Sequence, residues 1–292
     1  MMDQEVLTDP AVAGECNGGF IYLKVNAARG EGPGLVEKHA VEGFPTFVFL
    51  GPDGAEVDRQ VGYVAKDEFL PLLKDVRAGN TLAALPGKIE KAPEDGALRA
   101  AYGKALLRRD RAPEAREHLE KAVALDPREA NPSTAESLLA LAFLRAMEEH
   151  SAAPVRAFLE KHPDGPLAVR AHRALVMNLL QDGDTKGAMA SMDFLEGKGA
   201  LEGQQRCHYA FLLATERKDG AKALAIADDE RKKAPEAIHP PMARAFALSA
   251  LGRHDEAVEQ ARKALEKAPE DAKGEGEGFL KRLEQARDEA KE

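Results

Sequence analysis

Two cysteines, Cys16 and Cys207, and eight histidines are the side chains of this 292-residue chain best suited to act as nucleophiles, bases or metal ligands. The thiols are far apart and form no C-x-x-C, no zinc spacing and no disulfide framework. They read as buried or half-buried core thiols. Cys16 sits in Gly-Glu-Cys-Asn-Gly at an expected helix C-terminus, where the helix dipole and Glu15 both disfavour a thiolate. Cys207 adjoins His208, but neighbouring helical residues point in different directions, so the two do not make a Cys–His pair. His39, His118, His150, His162, His172, His208, His239 and His254 never pair at i, i+4 with a third ligand nearby, and no metal site is expected. The glycine-rich stretches 29–34 and 274–278 lack phosphate-loop spacing and carry acid, so they read as flexible joints and no cofactor is expected.

Composition narrows the partners. With 44% hydrophobic and 31% charged residues the chain has the make-up of a folded protein, and its length suits two units or one unit plus an array. Tryptophan is absent and aromatic residues are 5%, which favours closely packed helices. A net charge of -9, spread along the chain without a basic stripe, argues against nucleic acid as a partner. No apolar run is long enough for a membrane span, and the acidic opening Met1 to Glu5 has no apolar leader pattern. As written the chain reads as cytoplasmic; a start further upstream would make it periplasmic or exported.

Residues 1–78 read as mixed helix and strand. Thr8-Asp9-Pro10 caps a short helical stretch that Asn17-Gly18-Gly19 breaks, and Phe20-Ile21-Tyr22-Leu23-Lys24-Val25 has the apolar, β-branched content of a strand inside a sheet. Leu35 to His39 is helical. Thr46 to Leu50 is a second buried strand, and Pro52-Asp53-Gly54 turns it into an alternating partner, Glu56 to Val61, as an antiparallel hairpin. A helix capped by Asp67 then presents Phe69, Leu70, Leu73 and Val76 on one face, with Pro71 in its early turns.

After residue 78 the period becomes helical. A joining segment, 79–95, leads to prolines at 93, 127, 163, 235 and 269, separated by about 34 residues or twice that, the tetratricopeptide period. In the repeat 96–127, Gly103 allows close approach of two helices, Ala115 and Ala122 lie at their crossing, Leu119 fills the interface and Pro127 stops the second helix. Residues 242–269 repeat the scheme with Ala257, Ala261, Ala264 and Pro269. Three weaker copies, 132–163, 166–200 and 204–235, carry Ala188 and Ala223 at the crossing, giving about five repeats over 96–273. Residues 274–292, with Phe279, Leu280 and Leu283 apolar, suit a C-terminal capping helix.

The first region resembles the thioredoxin-like family, and is similar to the C-terminal domain of the thiol:disulfide interchange protein DsbD and related bacterial proteins. The likeness rests on Leu7 to Pro10, Lys24-Val25-Asn26, Val41 to Thr46, Gly51 to Gly54 and Gly62-Tyr63. It implies a cis bond before Pro45, with Phe44, Pro45 and Thr46 flanking a substrate groove. The family's C-x-x-C, and the mid-sheet strand before it, would precede the residues that match Met1 to Glu5. The expectation is therefore that the true start lies upstream of Met1, and that the chain as given has no dithiol activity.

The fold class expected is α/β, thioredoxin-like with an incomplete sheet, followed by an all-α tetratricopeptide-like solenoid. If each first helix lines a concave groove, Lys104, Arg170, Arg173, Met177, His208, Met242 and Phe246 are candidates to hold a peptide. Two functions fit: in its full-length form a thiol-disulfide oxidoreductase or redox-linked chaperone acting on protein clients, or a non-catalytic interaction scaffold.

Overall fold

A computed structural model describes residues 2, 6–201, 203–235, 237–266, 268 and 270–291; Pro269 and most of the opening Met1 to Glu5 fall outside them. The chain divides into two compact units, Met1–Lys161 and His162–Glu292.

In the first unit, Asp9 caps helix α1, Pro10–Gly19, by accepting from the backbone N–H of Ala11 at 2.9 Å and Val12 at 3.3 Å. These bonds hold the Asp9 carboxyl below the usual carboxylate range. The helix runs through the predicted break at Asn17 and stops at Gly19. Helix α2, Gly32–Lys38, starts inside the predicted loop, with Pro33 in its first turn where a missing N–H is harmless. Strands β1, Thr46–Leu50, and β2, Glu56–Val61, pair antiparallel from Thr46↔Val61 to Leu50↔Glu56. Gly54 has φ +78°, a conformation that explains the glycine of the Pro-Asp-Gly turn. Helix α3, Lys66–Arg77, is capped at Ala65, so Asp67 lies within its first turn and not at the cap. There its charge still complements the helix dipole. Val6, Val12, Phe49, Val64, Phe69, Leu72 and Leu73 form the core, with the Phe47 and Phe69 rings 4.7 Å apart.

Two strand expectations need correction. Residues 20–25 form no strand, and Ile21 is 102% exposed and Leu23 75%. An extended apolar segment becomes a strand only when a neighbour supplies hydrogen-bond partners, and among the described residues the sheet consists of β1 and β2. For the same reason β1 is half-buried, with Phe49 its one buried residue.

An ionic clasp ties the hairpin to the first repeat. Asp58, fully buried, accepts from Arg108 at 2.9 Å and from the backbone N–H of Arg59 and Leu82. Glu56 pairs with Arg59 at 2.6 Å and also with Arg109. Burial would push the Glu56 carboxyl up, but the hydrogen bond from Arg59 and the charges of Arg109 and Arg59 outweigh it and hold it low. Arg59 also donates to the carbonyls of His39 and Ala40, just before the Gly-Phe-Pro-Thr turn.

Helical hairpins follow. In the first unit they are α4, Leu85–Lys91, then α5, Gly96–Leu107, with α6, Ala112–Leu125, and α7, Pro132–Glu149, with α8, Ala153–Lys161. Gly103 is indispensable here: a Cβ would sit 2.6 Å from Leu119 Cγ and 3.2 Å from the Ala115 carbonyl. Ala115, Leu119 and Ala122 are buried as the repeat period predicts. The second unit holds α9, Pro166–Gln181, with α10, Thr185–Gly197; α11, Gly203–Thr215, with α12, Gly220–Lys233; and α13, His239–Ala250, with α14, His254–Glu266. Each helix packs on its hairpin partner, and α11 also packs on α13, the stacking that makes a solenoid. Ala188, Ala223, Ala257 and Ala261 are fully buried at the crossings. The last helix, α15, Glu270–Glu289, absorbs Gly274 to Gly278, which therefore make no flexible joint. Gly276 is buried where a side chain would run into Leu265, so close packing recruits this stretch into the helix.

Candidate functional site

The Gly-Phe-Pro-Thr turn lies where the chain enters β1. The Phe44–Pro45 peptide bond is cis. Thr46 Oγ1 donates to the Gly43 carbonyl at 2.7 Å, and the Gly62 N–H donates to the Pro45 carbonyl at 2.8 Å, so the turn is bonded to itself and to the end of β2. Phe44 is 66% exposed, Pro45 and Thr46 are half-buried, and Val61 and Tyr63 are exposed at the same end of the hairpin. The ring of Phe20, just before the exposed segment 21–25, lies 6.0 Å from that of Phe49 in the core. Exposed apolar residues thus occur at the turn, at the end of β2 and along 21–25, and among the described residues β1 pairs with no strand but β2.

Neither thiol is a ready nucleophile. Burial and the charge of Glu15 push the Cys16 thiol up from its ordinary value. Cys207 is buried in the second unit's core, and desolvation with the nearby Glu230 pushes it up to about 12. At neutral pH both are thiols, which are poor nucleophiles and poor metal ligands. No group of three His, Cys, Asp or Glu among the described residues could hold a metal ion, and no described helix is long and apolar enough to cross a membrane.

The groove candidates divide. Lys104 is held by Glu136 at 2.6 Å, bridging α5 and α7. Arg170, Arg173 and Met177 follow one another along one face of α9, the first two half-buried and Met177 55% exposed. His208 is exposed on α11, edge-on to Phe211 at 5.9 Å. Met242 and Phe246 were expected on a binding surface; both are only 7% exposed, because α13 is flanked by α11, α12, α14 and α15. Sequence reasoning missed Phe211 and underrated Phe279, which join Phe246 in a three-ring cluster. It also missed Tyr209, whose hydroxyl donates to Asp193 while accepting from Lys222 at 2.9 Å. His172 stacks on Phe194 at 4.2 Å and meets Ser191 Oγ at 3.1 Å, a packed histidine held below its ordinary value by burial.

The architecture is a small α/β region followed by a tetratricopeptide-like helical solenoid. Residues 1–77 match the family described as a thioredoxin-like domain. A search of curated proteins gives no significant match. Among solved structures the chain is similar to yeast Tom70, at 15% identity and TM-score 0.40, covering 75% of this chain and 46% of that one. It is also similar to a structure of Naa15/Naa10 bound to HypK-THB, at 16% identity and TM-score 0.40, covering 72% and 33%. A third is the P58(IPK) TPR domain, at 16% identity and TM-score 0.33, covering 77% and 67%. The chain spans less than half the length of the first two.

Proposed function

We propose that the protein is a client-binding scaffold in which the thioredoxin-like region takes an extended polypeptide along β1 and the repeats present a second protein-binding surface. The observation that carries this reading is the edge of β1, unpaired among the described residues and next to the turn with exposed Phe44, together with the exposed apolar side chains Ile21, Leu23 and Val25 in the same region of the chain. A client strand added at that edge would satisfy its main-chain hydrogen bonds and cover the apolar side chains. The raised thiols support binding without thiol chemistry by this chain's own cysteines. The working division is a client region at 1–78, a joining segment at 79–95, repeats at 96–273 and a cap at 274–292.

The family match favours a second reading, that the full-length protein is a thiol-disulfide oxidoreductase or redox-linked chaperone. It needs a C-x-x-C beside Pro45. One of its thiolates would attack a client disulfide, form a mixed disulfide and release the other client sulfur as a thiolate. The second cysteine would then free the client, leaving the C-x-x-C oxidised and the client reduced. The two readings separate in one experiment. The scaffold reading expects C16S/C207S to bind a fluorescent, cysteine-free extended peptide as tightly as the parent chain, and neither to accelerate insulin reduction by dithiothreitol. Loss of binding on removing the thiols, or catalytic turnover by the parent, would overturn it.

A further inference from the structure

We propose that helix α15 is a removable cover over an aromatic pocket, and that the pocket takes an amphipathic helix of another protein bearing Phe and Leu four residues apart.

The pocket is built by α11 and α13. Phe211 and Phe246 meet edge to face at 4.7 Å, and Met242 lies one turn from Phe246. Phe279 of α15 closes it, 5.5 Å from Phe246 and 5.6 Å from Phe211, with Arg282 over its outer side at 5.8 Å. Leu283, one turn on, is buried to 2% exposure in the same core. The groove position that the sequence suggested for clients, Phe246, is thus occupied by the protein's own C-terminal helix.

The helix that supplies this cover is weak by sequence. Gly274, Gly276 and Gly278 alternate through its first half, and each glycine in a helix interior lowers the helical population about fivefold against alanine. Gly276 has a packing reason, the contact with Leu265. Gly274 and Gly278 have none: a Cβ at either would meet no atom within 4 Å. An open cleft of about 310 Å³ runs along the seam of α14 and α15, lined by Arg262, Leu265, Glu266, Lys273, Glu277 and Leu280. A helix weak by sequence, held on the core by Phe279, Leu280 and Leu283, opens more readily than the stacked hairpins beneath it. Once it opens, Phe211 and Phe246 are bare, and what fits them is the pattern that leaves: an aromatic and a leucine at i, i+4 on one helical face. The cover therefore competes with a client helix, and the fraction of open molecules scales the apparent affinity.

This inference rests on the repeats serving as a client surface, but its first test does not. In the full chain, native-state hydrogen exchange is expected to show α15 amides opening at least a hundredfold more often than those of α11 and α13. G274A/G278A is expected to slow α15 exchange about 25-fold and leave α11 and α13 unchanged. A labelled peptide of residues 276–291 is then expected to bind F279A more tightly, and G274A/G278A more weakly, than the parent, and to lose affinity when its own phenylalanine becomes alanine. Exchange of α15 only at the rate of α13 overturns the cover, whatever the peptide does. Exchange as expected, with peptide affinity equal across all three proteins, overturns the pocket as a helix site. Failure of extended peptides at β1 would leave both results standing and count only against the scaffold reading.

Discussion

Between Gly96 and Leu125 the chain forms two helices that satisfy their own backbone hydrogen bonds, and alanine and glycine at the crossing let them close on each other. Between Phe20 and Leu50 the residues are as apolar and more β-prone, yet Ile21 and Leu23 face solvent and, among the described residues, β1 pairs on one side only. The difference lies in where the hydrogen-bond partner must come from. A helix carries its partner four residues away, whereas a strand depends on a segment that can be anywhere, including in another molecule. The repeats therefore close on themselves, whereas the hairpin leans on the clasp to α5 and leaves one edge of β1 unpaired among the described residues.

The sharpest way to break the contrast is at the clasp. Asp58→Ala leaves Arg108 without its buried partner and should cost about 4 kcal/mol. Hydrogen exchange should rise first in residues 39–61 and not in α9–α14; uniform loosening would show that the hairpin does not lean on α5. Within the repeats, Gly220→Val places a side chain where even a Cβ lies 2.9 Å from the Ala247 carbonyl and 2.8 Å from Leu251 Cγ. A loss of about 3 kcal/mol in urea unfolding is expected, against a gain of about 0.5–1 kcal/mol for Gly14→Ala, in the interior of α1 where a Cβ meets nothing. On the exposed segment, I21S/L23S should change stability by less than about 0.5 kcal/mol while weakening extended-peptide binding and suppressing self-association. If stability instead falls steeply, residues 20–25 are core and not surface.

The smallest effect is acid sensitivity of the repeats. Burial lowers the imidazoles of His118 and His172, for His118 with help from Arg99, so the unfolded chain takes up protons first as the pH falls. The stability concerned is intact above the ordinary value of 6.5 and declines below it towards the folded values. The melting temperature should drop slightly between pH 7 and 5.5, and less in H118Q/H172Q.

The repeat architecture was legible because its signals are local: Ala115, Leu119 and Ala122 sit about one turn apart with Gly103 on the helix just before, and each can be assigned before any partner is known. Hairpin and turn were legible for the same reason, through Pro52-Asp53-Gly54. Phe20 to Val25 misled because composition reports only the readiness to be a strand, and no strand accompanies it among the described residues. Met242 and Phe246 misled because helical position alone does not reveal that α15 folds onto Phe246; Phe279 lies 33 residues beyond Phe246, close to one repeat period, but the stretch just before it lacks the proline and alanine signals of a repeat. Asp58 was likewise unremarkable in an alternating strand, since its partner Arg108 lies 50 positions on.

The proposed addition of an extended client to β1, without chemistry from Cys16 or Cys207, can be read from amide exchange of residues 46–50 in the C16S/C207S protein, with and without a saturating cysteine-free apolar peptide. At least tenfold slower exchange in β1 on binding is expected, with α9–α14 unchanged. Binding that leaves β1 exchange unaltered would contradict it.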